Sequence, residues 1–338
     1  MSADHLGDVL AASIDDIRAA AGRLAGVARV TPLLESPFLN RLAGRRVLVK
    51  AECLQLTGSF KFRGAWSALT ALDAETRARG VIGYSSGNHA QGLAHAAERL
   101  GAPGVIIMPA DAPALKIANT RAHGAEVVLY DRAGGESREA QGRALAEERG
   151  LTLIKPYDEP MVIAGQGTTG LEIARQAGEA GVADAEVLVC TGGGGLSAGI
   201  SLALEAEAPS LRVRPVEPVG WDDWRMSHAA GRIVPVPAGT PASICDAIIT
   251  PAPGQLTWPI LAPRMAPPLA IDDDTAMRAM AAAFKRLKIV AEPGGAIGLA
   301  AALFSEAVDA DTVIAVVTGG NVDPALFADA VTRFSDAV

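Results

Sequence analysis

From Gly80 onward, short apolar runs alternate with longer stretches of helical character. Val81-Ile82-Gly83-Tyr84, Val105 to Met108, Glu126 to Tyr130 and Leu151 to Ile154 read as strands. The segments between them, Asn88 to Leu100, Ala114 to His123 and Ser137 to Arg149, read as helices. A second series follows: a helix over Thr168 to Ala177, a strand over Ala185 to Cys190, a helix over Leu196 to Ala206 and a strand over Leu211 to Glu217. Helices over Asp274 to Leu287 and Gly295 to Phe304 lead to a last apolar strand, Val313 to Val317. Before Gly80, Ser13 can cap a helix over Ile14 to Leu24, with Asp15 and Asp16 in its first turn. Thr31-Pro32-Leu33 is forced extended, and Phe38, Leu39 and Leu42 share a helical face. Strand Arg46 to Lys50 and a helical run from Ala65 to Leu72 complete this part, whereas residues 218–270 are less periodic. Strands separated by helices of this length predict an α/β fold with parallel sheets flanked by helices.

The order of elements suggests two domains. Residues 80–154 form a small domain inserted into a large one built from residues 1–79 and 155–338, free to close over a site between them. No solenoid repeat or low-complexity tail is visible, and no appended regulatory domain is expected. Of the 338 residues 49% are hydrophobic, enough for a substantial core, and the net charge of −8 argues against nucleic acid or an acidic membrane surface as partner. Cys53, Cys190 and Cys245 are too dispersed for a disulfide framework. The polar start Met1-Ser2-Ala3-Asp4-His5 is unlike a signal peptide, and no apolar run has membrane-spanning length, so a cytoplasmic location is expected.

Candidate chemistry centres on Leu56-Thr57-Gly58-Ser59-Phe60-Lys61-Phe62-Arg63-Gly64-Ala65, which joins a strand to a helix. Small residues suit the turn, and the phenylalanines can keep water off the Lys61 amine, making it a nucleophile toward a carbonyl. Alone, such a lysine reads as a surface residue. Thr191-Gly192-Gly193-Gly194-Gly195-Leu196 joins another strand to a helix, where backbone N–H groups and the helix dipole can bind phosphate. Gly193, Gly195 and Ala198 also satisfy a dinucleotide fingerprint, with Glu217 placed as its ribose-binding acid. Ser85-Ser86-Gly87-Asn88-His89 stands at a third strand-to-helix junction, suited to an oxygen anion, and Thr318-Gly319-Gly320-Asn321 ends the last strand.

Together these segments resemble the pyridoxal-phosphate enzymes of the tryptophan-synthase-β fold, and within them the serine/threonine dehydratase and serine racemase branch. The resemblance runs from about Thr31 to Asp323, and Glu292-Pro293-Gly294-Gly295-Ala296 and Gly319-Gly320-Asn321-Val322-Asp323 extend it. It implies that Lys61 holds pyridoxal 5′-phosphate as a Schiff base, with Phe60 near its ring, Asn88 on its 3′-oxygen and Gly192 to Leu196 around its phosphate. Thr318 stands where relatives carry serine opposite the ring nitrogen. By the same resemblance Ser85, Ser86, Gly87, Asn88 and His89 bind the substrate carboxylate, Arg138 lies near the substrate, and Ser86 serves the opposite face in racemases. Glu217, Trp221 and Asp223 match a divalent-metal site of that branch, and hard oxygen ligands suit Mg²⁺ or Ca²⁺. Cys245-Asp246-Ala247 departs from the family's Ala-Asp-Gly at a substrate-facing segment. The implied reaction is deamination of L-threonine or L-serine to a 2-oxo acid by a homodimer. Serine racemisation, 3-hydroxyaspartate deamination, a nicotinamide dehydrogenase and a catalytically silent binding protein stand as alternatives.

Overall fold

Helix α1 (Ile14–Leu24) starts on a capping box, in which the Ser13 hydroxyl accepts from the Asp16 N–H and the Asp16 carboxylate answers the Ser13 N–H. The structure is a computed structural model that describes residues 10–85, 87–112, 114–131 and 134–336. Ser86 and the first five residues lie outside the described residues.

The elements follow as β1 (Leu33–Glu35), α2 (Pro37–Ala43), β2 (Arg46–Ala51), α3 (Lys61–Ala71), α4 (Ala74–Arg79), β3 (Val81–Tyr84), α5 (Asn88–Leu100), β4 (Gly104–Pro109), α6 (Ala114–Ala122), β5 (Glu126–Tyr130), α7 (Arg138–Arg149) and β6 (Thr152–Leu153). The second half supplies α8 (Pro160–Glu179), β7 (Ala185–Cys190), α9 (Gly195–Glu207), β8 (Leu211–Pro218), α10 (Asp223–Ala230), α11 (Trp258–Leu261), β9 (Leu269–Ile271), α12 (Asp273–Ala282), α13 (Pro293–Phe304), β10 (Thr312–Val317) and α14 (Pro324–Arg333).

Two sheets result. The larger has the order β1-β2-β10-β7-β8-β9, parallel except for β1, and the smaller is the all-parallel β5-β4-β3-β6. Helices α12 and α13 contribute to the apolar cluster on one face of the large sheet, and α1, α8 and α9 to that on the other. Among the described residues no helix is long and apolar enough to cross a membrane.

Two helices begin a full turn or more before the sequence pattern suggests. α3 starts at Lys61 itself, not at Ala65, and α8 starts at Pro160, not at Thr168. Glycines mask both. A Cβ on Gly64 of α3 would strike the Gln166 side chain of α8, Gly165 lies against the Arg63 carbonyl of α3, and a Cβ on Gly167 would sit 2.9 Å from the Gly199 carbonyl oxygen of α9. Close backbone approach requires glycine there, at a cost in helix propensity. Helix α3 packs on α8 and α8 on α9, and Lys61 at the start of α3 and Gly195 at the start of α9 line one cavity.

Candidate active site

Strands β2, β10 and β7 are neighbours in the large sheet, so the loops leaving their carboxyl ends lie side by side, where α/β sheets bind ligands. The loop after β2 is stitched to that after β10: Phe60 N–H donates to the Thr318 carbonyl at 3.1 Å, and Gly320 N–H to the Gly58 carbonyl at 2.9 Å. Thr57, at φ +60°, occupies the left-handed region that a β-branched residue rarely adopts. Asn321 Nδ2 holds it by donating to its carbonyl at 2.8 Å. These bonds aim Lys61 into a cavity that Phe60, Thr318, Asn88 and Gly192 to Leu196 also line. Its Nζ donates to the Pro156 carbonyl at 2.9 Å and lies 5.0 Å from the Phe60 ring centre. Burial lowers its pKa to about 8, with the Glu292 carboxylate pulling the other way.

Opposite lies the glycine cradle. The Gly192 carbonyl accepts from Trp224 Nε1 at 2.6 Å, and the Gly193 carbonyl from Thr257 Oγ1 at 2.6 Å. With carbonyls tied back, and with α9 beginning at Gly195, the first N–H groups of that helix have no intrahelical partner and suit an anion. A Cβ on Gly193 would strike the Tyr157 ring, and Gly194, at φ +93°, has Trp224 where its Cβ would go. A cradle that side chains would fill, facing a lysine amine of lowered pKa, fits a phosphorylated carbonyl cofactor. Glu217 does not line this cavity, where a ribose-binding acid would have to stand.

Ser85, Gly87, Asn88, His89 and Arg138 line the same cavity, so the described residues of the anion-binding and cofactor sets converge. Asn88 Nδ2 donates to Glu292 Oε1 at 2.5 Å, while its Oδ1 accepts from Asn321 Nδ2 at 2.7 Å. His89 is buried and bonds the Ile154 carbonyl through Nε2 at 3.1 Å, so that nitrogen carries the proton. Burial, and then the charge of Lys61, push its pKa down to about 3, leaving a neutral ring that anchors α5. The Ser85 hydroxyl accepts from the Gly87 N–H at 3.1 Å. Arg138, 38% exposed at its side chain, lies 5.5 Å over the Tyr84 ring and bonds Glu139 at 2.8 Å.

Sequence reasoning quoted Glu292 only as part of a motif and passed over Tyr157. Glu292 is buried, and burial pushes its pKa up to about 7 against the Asn88 hydrogen bond. Lys116 and Asp246 also line the cavity and pair at 2.9 Å, bridging α6 to the loop after Cys245.

Glu217 and Asp223 lie behind the cradle. Glu217 accepts from the Trp224 N–H at 2.8 Å and the Arg225 N–H at 3.0 Å, while both Asp223 carboxylate oxygens are buried without a hydrogen-bond partner among the described residues. Burial pushes Asp223 up to about 8 and Glu217 well above the usual carboxylate range, with Asp223 adding to the second shift. Unpartnered buried carboxylate oxygens fit an oxygen-seeking cation. The Trp221 indole is committed to the Pro241 carbonyl at 2.8 Å, which leaves only its backbone for such an ion.

A buried amine of lowered pKa facing a cradle of backbone N–H groups is an arrangement that suits a phosphorylated carbonyl cofactor. The family described as pyridoxal-phosphate dependent enzyme matches residues 24–319, and the chain belongs to it. An L-threo-3-hydroxyaspartate ammonia-lyase of a Pseudomonas species is 44% identical over 312 residues, 92% of this chain and 96% of that protein. The crystal structure of a T.th. threonine deaminase matches with a TM-score of 0.85 and 45% identity, covering 92% of this chain and 99% of that one. Maize serine racemase matches with a TM-score of 0.88 and 37% identity, covering 97% and 99%. The fold is therefore that of the serine/threonine dehydratase group, whose members differ in substrate and outcome.

Proposed function

We propose that the chain is an ammonia-lyase acting on a β-hydroxy amino acid, with 3-hydroxyaspartate as its preferred substrate. The observation that carries the choice is Arg138, a guanidinium on the cavity wall suited to a second substrate carboxylate. The 44% identity to an L-threo-3-hydroxyaspartate ammonia-lyase supports it. L-Threonine or L-serine is the second reading, supported by the threonine deaminase structure.

Lys61, Phe60, Asn88, Thr318 and the Gly192 to Leu196 cradle would hold the cofactor, which supplies an electron sink for charge at the substrate Cα. Lys61 Nζ takes the α-proton, since burial keeps much of the amine neutral near pH 8. Backbone N–H groups at the start of α5 bind the α-carboxylate, and Arg138 takes the distal one. Residues 80–154 act as a small domain whose closure excludes water.

Arg138→Gln is expected to lower kcat/KM for 3-hydroxyaspartate roughly 10- to 100-fold, the loss of a charged hydrogen bond. Threonine deamination should change little. Equal losses on both substrates would assign Arg138 to support of the cavity wall, and a wild type inactive on 3-hydroxyaspartate would leave the threonine/serine reading standing.

We infer further that Glu217 and Asp223, with the Trp221 carbonyl, hold Mg²⁺ or Ca²⁺. The ion would brace α10, whose Trp224 grips the Gly192 carbonyl of the cradle. Chelation should lower the unfolding midpoint, and either ion should restore it, adding about 2.7 kcal/mol of unfolding free energy at a hundred times its dissociation constant. A midpoint indifferent to chelator and to both ions would make these ordinary buried acids.

A further inference from the structure

Away from the cavity, α5 and the end of α6 bring together His95, Glu98 and His123. His95 and Glu98 are three residues apart, on one face of α5, and His123 follows the last residue of α6. One carboxylate oxygen, Glu98 Oε2, lies 3.1 Å from His95 Nδ1 and 3.0 Å from His123 Nδ1. The ligand atoms of the three side chains all lie within 4.8 Å of one another, and no other group of three or more His, Cys, Asp or Glu converges in this way among the described residues. The two imidazole rings are 4.7 Å apart between centres, and the Phe62 ring lies 5.5 Å from that of His95, giving the cluster an apolar wall.

We propose that these three residues form a binding site for one Zn²⁺ ion. A tetrahedral zinc with bonds of about 2.0–2.2 Å sets its ligand atoms about 3.3–3.6 Å apart, so each nitrogen need open from the Glu98 oxygen by only a few tenths of an ångström, while the two nitrogens, within 4.8 Å of each other, need at most a small rotation of exposed side chains to reach that spacing. Two imidazoles and one carboxylate select a borderline transition metal, which separates this site from the all-oxygen Glu217 and Asp223 pair, suited to Mg²⁺ or Ca²⁺. Three protein ligands leave the fourth position to water. All three side chains are partly solvent-exposed, so the ion has a path in. Once bound, it ties the C-terminal turn of α6 to α5. The first helix carries Lys116, the partner of Asp246 at the cavity, and the second carries Asn88 and His89. The ion thus acts as a structural clamp at a distance from the chemistry.

Zinc titrated into the holoenzyme in competition with a chromogenic chelator tests the site directly. One ion per chain should bind, undisplaced by a large excess of Mg²⁺. His123→Ala and Glu98→Gln should each weaken that binding at least about tenfold. Far-ultraviolet circular dichroism, unchanged in both variants, reads the fold independently. Zinc should raise the unfolding midpoint of the wild type and leave that of the variants where it was. A wild type that takes up no zinc overturns the proposal. So do variants that bind zinc with wild-type stoichiometry and affinity.

Discussion

Replacing Lys61 by alanine is expected to lower turnover at least about 1,000-fold and to remove the visible absorbance of covalently held cofactor. Lys61 is the amine aimed into the cavity, fixed by the Pro156 carbonyl and walled by Phe60. Free cofactor should still bind the variant, since the glycine cradle is built from the backbone of another loop. Equilibrium dialysis of pyridoxal phosphate would separate that residual binding from lost covalent capture. The pH dependence follows from the same burial. Protonated amine is no nucleophile, and its folded pKa is lowered to about 8, so the neutral fraction reaches a half near that value and saturates above it. Stripped wild-type protein should therefore take up cofactor faster as the pH rises toward about 8 and level off above it. Wild-type turnover in the alanine variant, or uptake that ignores pH across this range, would remove Lys61 from its role.

The second large effect is on stability. Two residues beyond Lys61, Arg63 is buried against two carboxylates. Its Nε and Nη2 donate to Glu52 at 2.8 Å each, and its Nη1 to Glu172 Oε1 at 2.7 Å. Lys50, also buried, reaches Glu172 at 2.5 Å, the Thr31 carbonyl at 2.7 Å and Gln176 at 2.9 Å. Two cations thus balance two anions, with Lys50, Glu52 and Arg63 buried and only Glu172 touching solvent. Arg63→Leu removes one cation and strands a carboxylate charge, which should cost about 3–5 kcal/mol in urea unfolding. Arg63→Lys keeps the charge without the planar fork and should recover only part of that loss. Burial raises the pKa of Glu52, but Arg63, with Lys50 and the Thr31 hydroxyl, outweighs it, so the net shift is down from 4.5. A carboxylate with a depressed folded pKa stabilises the protein above its unfolded pKa, and that stability is lost as pH falls through the folded value. The wild type should therefore lose this contribution below about pH 4.5, and Arg63→Leu should have little of it to lose. A variant within about 1 kcal/mol of wild type would mean that the network does not constrain the fold.

The four strand-to-helix junctions were legible because each is one contiguous stretch. Lys61 after β2, Asn88 after β3, the glycine run after β7 and Thr318 after β10 each combine an apolar strand, small turn residues and a chemical group within a few positions. Strand periodicity reveals such a junction, and parallel connection places its turn at the carboxyl edge. The element pattern likewise anticipated the α/β class, and the first helix appeared with its Ser13 cap and its bounds as observed. The starts of α3 and α8 were misjudged because the glycines there answer to neighbouring helices, and local propensity carries no trace of those neighbours.

Only the tertiary structure decided which polar groups meet. Asn88 is held between Glu292 and Asn321, more than 200 residues away along the chain. Lys50, Glu52, Arg63 and Glu172 come from β2, the turn after it, α3 and α8, and nothing in their spacing announces a closed network. The same holds for His95, Glu98 and His123, where the helical spacing of two residues becomes a cluster only once α6 packs on α5. A backbone hydrogen bond in a turn or helix is made between near neighbours, so its residue preferences are written locally. A buried charge is tolerable only beside partners that burial itself assembles, and those partners are brought together by the packing of distant segments.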